Sequence, residues 1–185
     1  MRRVAFLAPV VLLLGGSGAG HAETAAPADS ALRAVATVVD VQGRRQGEVI
    51  ALQTPRGVLF RFDIAGLSPG EHGVHLHETG DCDPSGGFAA AGGHFDRRGH
   101  AHGMFHAHGQ HDGDMPSLHA GADGRARAEA FMPGLTLDDG PTGLADANGT
   151  AIIIHARGDD GDSQPGGNAG PRVACGVLVP RHEAL

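Results

Sequence analysis

The sequence has no lysine, no tryptophan and no tyrosine, and aromatic residues make up only 4% of it. All 14 basic residues are therefore arginine, set against 21 acidic residues for a formal charge of −7. That balance argues against nucleic acid as a general partner, because phosphate binding needs a basic footprint. Long apolar runs are missing as well: the one candidate, residues 4–14, is too short to span a bilayer. Cysteine occurs only twice, at Cys82 and Cys175, and 31 glycines favour turns and loops over long helices. What remains is a chain of 185 residues, 41% hydrophobic and 19% charged, the profile of one globular domain rather than a disordered segment.

Arg2 and Arg3 precede the apolar run, and a small-residue stretch ending Gly20-His21-Ala22 supplies a cleavage site before Glu23. This is the three-part pattern of a secretory signal peptide. The expected organisation is a signal peptide over residues 1–22, a loose Ala-rich leader over 23–32 and a folded domain over 33–185. Removing the signal leaves 12 arginines against 21 acidic residues, near −9. Export would place the chain in the periplasm or outside the cell, where two cysteines read as an intramolecular disulfide.

Eight short segments have strand character: residues 33–41, 48–53, 58–64, 71–78, 117–122, 125–132, 150–155 and 173–179. In the third, Val58, Phe60, Phe62 and Ile64 fall on one face. Asp123-Gly124 reads as a hairpin turn between the fifth and sixth, and Pro180 as the end of the last. No segment reads as a helix. The expected fold is an all-β, eight-stranded antiparallel sandwich or flattened barrel with long loops.

Nine of the 13 histidines lie between His72 and Asp114. His75 and His77, two apart on a strand, leave the same face, while Val74 and Leu76 point into the core. His94 follows Gly92-Gly93, where missing side chains allow close approach. His102, His111 and Asp114 follow at offsets of 8, 17 and 20 from His94, and three nitrogens with a carboxylate suit tetrahedral zinc. His155 ends an apolar strand and reads either as a satisfied core histidine or, with Arg157 and Asp159 after it, as a site rim.

The segments GVHLHETGDC, AGGHFD, HDGDMP, IIIHARGDD and GNAGPRVACGV, in that order, resemble the copper/zinc superoxide dismutases in their bacterial exported form, from about Ala34 to Val179. The resemblance implies a Greek-key sandwich with metal-binding and substrate-channel loops, converting superoxide to dioxygen and hydrogen peroxide. It implies copper held by His75, His77, His94 and His155, and zinc by His94, His102, His111 and Asp114. His94 would bridge the two ions and carry a proton, Arg172 would guide the substrate, and Asp159 would link the sites from behind. Cys82 would pair with Cys175. A homodimer is allowed, and neither nucleic acid nor, after signal cleavage, a membrane is an expected partner.

The chain departs from the family pattern in places. Arg97 stands where a proline is usual, and His100, His106, His108 and His119 are extra histidines. His100, His106 and His108 could bind a further divalent ion or pass metal to an empty site. With no lysine, the usual lysine contribution to substrate attraction is missing. The rival reading is a noncatalytic periplasmic copper- or zinc-binding protein on the same fold.

Overall fold

The computed structural model describes residues 32–181. The expected signal peptide, and all of the expected leader except Leu32, lie outside the described residues. The strands are β1 (Arg33–Asp40), β2 (Arg45–Thr54), β3 (Gly57–Ile64), β4 (Gly70–His77), β5 (Asp114–Ala120), β6 (Ala126–Pro133), β7 (Ala151–His155), β8 (Arg172–Val177) and the short β9 (Val179–Arg181). They run in the order β5-β4-β7-β8-β1-β2-β3-β6, with β9 pairing β1. Every strand pairing among the described residues is antiparallel.

The joint between β8 and β1 consists of two residue pairs, Val39 with Cys175 and Asp40 with Ala174. The barrel therefore divides into two four-stranded halves, β1-β2-β3-β6 and β5-β4-β7-β8. The chain crosses between the halves after β3, β5 and β6, which is Greek-key connectivity, and once more after β8 to place β9 on β1. Alternation places Val58, Phe60, Phe62 and Ile64 in the core, with Val38, Val49, Leu76, Ile152 and Ile154. A second cluster of Phe88, Ala91, Ala151, Ile153 and Cys175 packs on the other face of β7. Burial on both faces explains the continuous apolar run of that strand.

Three expectations are corrected. The Asp123-Gly124 turn exists, with the Gly121 N–H donating to the Arg125 carbonyl at 2.9 Å. However, β5 pairs with β4 and β6 with β3, so the turn is a crossover between halves rather than a hairpin. The Leu67 N–H donates to the Gly124 carbonyl at 3.2 Å, tying this crossover to the one after β3. Pro180 does not end the last strand but sits within β9, at the edge of the sheet, where a missing donor is tolerated. The loop after β4 also contains two single-turn 3-10 helices, Pro84–Gly86 and Ala89–Ala91.

Cys82 and Cys175 form a disulfide with a Cα–Cα distance of 5.6 Å across a sequence separation of 93. It fastens the loop after β4 to β8. In the chain-entropy account, closing so long a loop contributes about 4–5 kcal/mol. Cys82→Ser should lower stability by an amount of that order, measured as a drop in denaturation midpoint against the oxidised protein. An unchanged melting temperature in reductant would contradict it.

Candidate metal centre

β4 turns His75 and His77 away from the barrel interior, where Val74 and Leu76 are buried in the core. His75 lies opposite Ile153 and His77 opposite Ala151 on β7, so His155 at the end of β7 comes up on the same outer face. The loop carrying His94 is fastened to β4 by backbone bonds. The Phe95 N–H donates to the Leu76 carbonyl at 2.8 Å, the Leu76 N–H to Gly113 at 2.9 Å and the Gly113 N–H to Phe95 at 2.8 Å. Asp114 then begins β5 directly opposite His75.

His75, His77, His94 and His155 each bring one ring nitrogen to within 4.8 Å of the others. The second nitrogen of three of these rings is anchored outward. His75 Nε2 donates to Asp159 Oδ2 at 2.6 Å, His77 Nδ1 to the Gly92 carbonyl at 3.0 Å and His155 Nδ1 to the Gly170 carbonyl at 2.8 Å. Those bonds fix the tautomers and leave His75 Nδ1, His77 Nε2 and His155 Nε2 as buried acceptors without a hydrogen-bond partner. A buried polar atom left unpaired costs about 1–3 kcal/mol. Three together make sense when a cation accepts their lone pairs, so this donor set fits a metal that favours imidazole.

A second set surrounds Asp114. Its Oδ1 lies 2.9 Å from His94 Nδ1, 3.0 Å from His102 Nδ1 and 3.3 Å from His111 Nδ1. His111 Nδ1 is also 3.3 Å from His94 Nδ1. Ligands about 2.0 Å from a tetrahedral zinc stand roughly 3.3 Å apart, so these atoms have the spacing of its corners. Asp114 Oδ2 is occupied by the N–H groups of Gly103 at 2.9 Å and His111 at 3.0 Å, which reserves Oδ1 for the histidine side. The donor atoms here that all lie within 4.8 Å of one another are those of His75, His94, His102 and Asp114, with His111 outside that group. His75 Nε2, however, is engaged by Asp159, and His111 Nδ1 faces both Asp114 Oδ1 and His94.

Asp159 ties the two sets together, since its Oδ1 also accepts from His102 Nε2 at 3.1 Å. A Cβ on Gly167, whose φ is +61°, would collide with Asp159 Oδ1 and stand 2.7 Å from His102 Nε2. Only glycine lets that backbone pass. The electrostatics follow the packing. Burial lowers His77 to about 2, helped by His94 and Arg172, and lowers His94 and His155 to about 4. These rings are thus neutral, the ligand form. Burial opposes charge on His102 too, but Asp114 and Asp159 outweigh it and raise it to about 9. Both carboxylates, despite burial, are held well below the usual range by hydrogen bonds, foremost from His102. The pocket around His102 is built for positive charge.

An open cleft of about 550 Å³ leads to His77, His94 and His155 and is lined also by Arg157, Gln164 and Arg172. Arg172 donates to the Phe88 and Gly92 carbonyls, each at 2.6 Å, which fixes its guanidinium in the wall. Gln164 carries no recognisable signal in the sequence, yet its side chain accepts from the His102 N–H and donates to the His102 carbonyl, each at 2.9 Å. Gly92 is needed chiefly because its φ is +75° and a Cβ would crowd Glu78, whose carboxylate accepts from the Gly93 N–H. Arg97, where the family pattern has proline, offers a backbone N–H to Asp112 at 3.0 Å. The extra histidines do not converge: His106 and His108 form a pair with ring centroids 6.0 Å apart, whereas His100 packs on Asp96. His119 meets Glu71 at 2.8 Å on the surface.

The family profile described as copper/zinc superoxide dismutase (SODC) matches residues 45–178. A Cu-Zn superoxide dismutase of Caulobacter vibrioides is 40% identical over 148 residues, covering 78% of this chain and 84% of its own. Cu-Zn superoxide dismutase 1 of Aquifex aeolicus is 40% identical over 149 residues, covering 80% and 88%. Among solved structures, Cu/Zn superoxide dismutase from Brucella abortus superposes with a TM-score of 0.64 at 29% identity, over 80% of this chain and 99% of that one. A SOD-like protein from Bacillus subtilis superposes with a TM-score of 0.74 at 32% identity, over 78% and 97%.

Asp159→Asn keeps the side-chain shape but replaces one acceptor oxygen by a donor facing a ring N–H. Loss of such a partner typically weakens metal affinity about 10–100-fold. Competition with a chelator should show that loss while the circular dichroism of the barrel is unchanged; wild-type retention of metal would refute the linking role.

Proposed function

The chain belongs to the copper/zinc superoxide dismutase family, and from that premise we propose how its own residues perform the reaction. The activity is disproportionation of superoxide: two superoxide anions and two protons yield dioxygen and hydrogen peroxide. Copper and zinc are the cofactors; copper, when bound, supplies one-electron chemistry through Cu(II) and Cu(I), and zinc has no redox chemistry of its own. We assign His75, His77, His94 and His155 to copper, and His94, His102, His111 and Asp114 to zinc. The observation that carries the copper assignment is the set of inward, unpartnered ring nitrogens on His75, His77 and His155, and the zinc assignment rests on the donors gathered around Asp114 Oδ1.

His94 belongs to both sets, with Nδ1 beside Asp114 and its ring stacked 4.0 Å from that of His75. In this reading His94 Nε2, which faces the cleft side of the ring beside Gly166, is the atom that takes up a proton and yields it to the product. Asp159 keeps the rings of His75 and His102 in one tautomer. Arg172 attracts the anion and holds it at the cleft wall. Burial lowers the pKa of Arg172, but a guanidinium stays ionised at any working pH. A metal carrier without catalysis would have no use for a fixed cation beside the imidazoles, so the dismutase reading is preferred over a buffering protein.

We also read the chain as exported, with residues 1–22 as its signal, 23–32 as a leader and 33–185 as the working domain. The disulfide supports this, because such bonds persist in oxidising compartments.

Metal analysis and a superoxide-dismutation assay on one purified sample test the function directly. His155→Ala should abolish most turnover together with normal copper binding; full activity with copper normally bound would refute the ligand assignment. The chain as a whole is negative and repels superoxide, so Arg172 provides local focusing that salt screens. Arg172→Glu should reduce kcat/KM strongly and Arg172→Ala less, with a weaker salt dependence in both. Equal rates in all three forms would remove Arg172 from the mechanism.

A further inference from the structure

Outside the two histidine sets, Asp96, His100 and Asp112 each bring one donor atom to within 4.8 Å of the others. The carboxylates are largely enclosed, with side chains 10% and 5% exposed for Asp96 and Asp112. Both are oriented by the main chain. Asp96 accepts the N–H groups of His100 at 2.6 Å and Arg98 at 3.2 Å, and Asp112 accepts that of Arg97 at 3.0 Å. A proline at position 97 could not supply that last donor. His100 turns Nδ1 toward Asp96 Oδ1 at 3.2 Å.

The charge facing Asp112 comes from the guanidinium of Arg98, whose side chain is 61% exposed. A long arm anchored only at its tip, with most of its surface in water, is a weakly held counter-charge. Two backbone-oriented carboxylates and one imidazole form a mixed oxygen and nitrogen set suited to a divalent ion of the zinc or manganese kind, with water completing the shell. We propose that Asp96, His100 and Asp112 constitute a third divalent-cation site, distinct from the two-metal centre, in which the ion displaces the Arg98 guanidinium. His106 and His108 lie outside it: His106 Nδ1 accepts the His108 N–H at 3.1 Å, and their rings stand tilted beside each other with centroids 6.0 Å apart. Binding is weaker than at the zinc position, because the site has three protein donors and must first expel a cation.

The site goes beyond the dismutase reading and is tested apart from it. Protein already loaded with copper and zinc is titrated with further zinc by calorimetry, and bound metal is counted after equilibrium dialysis. The wild type takes up one additional zinc per chain. His100→Gln and Asp96→Asn lose it, the double variant His106→Gln/His108→Gln keeps it, and Arg98→Gln binds it more tightly, while dismutation is unchanged throughout. Should Asp96→Asn fail to fold, His100→Gln decides. An additional zinc that survives in His100→Gln, that depends instead on His106 and His108, or that is absent even in Arg98→Gln overturns the proposal.

Discussion

One carboxylate, that of Asp159, orients a histidine from each of the two donor sets. An imidazole can ligate a cation only through a nitrogen whose lone pair is free, so its N–H must be spent elsewhere. Asp159 receives that N–H from His75 at 2.6 Å and accepts from His102 at 3.1 Å, one ring from each donor set. The carboxylate itself is held by the Gly161 N–H at 2.7 Å, and its own backbone N–H donates to Ser117 Oγ at 3.1 Å. The absent side chain of Gly167 gives it room. Strand β5 and the loop between β7 and β8 thus meet at one group, which orients two histidines that are far apart in the sequence but have ring centroids 5.4 Å apart.

Much of this could be read from residue order because strands convert spacing into direction. The His75-Leu76-His77 alternation and the Val58–Ile64 face appear in the barrel as their period requires. The β5–β6 turn misled because Asp123-Gly124 encodes a local reversal and says nothing about which strand lies alongside. That choice belongs to the two halves of the barrel, where β4 and β3 already offer edges. Gln164 and the carbonyls of Phe88 and Gly92 were equally hidden. Their contribution lies in where a loop passes, and no residue type announces it. His100 separated from His106 and His108 for a related reason: Asp96 captures it through both backbone and ring, which histidine spacing alone does not reveal.

The loop that carries His94 shows how an irregular segment acquires the accuracy of a strand. Leu76, Phe95 and Gly113 exchange three backbone hydrogen bonds among themselves. His94 and Asp114 each lie one residue from a member of that trio, so their positions follow those of β4. Gly103, with φ of +100°, lets the loop close against Gly161 where any side chain would collide. Flexible composition and fixed geometry coexist because main-chain pairing, rather than side-chain bulk, restrains the loop.

Arg172 stands three residues before Cys175 on β8, while its two carbonyl acceptors, Phe88 and Gly92, belong to the segment that follows Cys82. The sulfur bridge therefore joins the donor of these hydrogen bonds to their acceptors. In the function proposed above, where Arg172 guides the anion, the bridge steadies that charge although neither sulfur takes part in the chemistry. Without the bridge that cleft wall would rest on the backbone bonds of Glu78 to Gly93 and Thr79 to Ala91, at 3.1 Å each, and on Arg172 itself. Closing the bridge would thus do more than shorten the unfolded chain: it would hold one wall of the cleft against the strand that carries its cation.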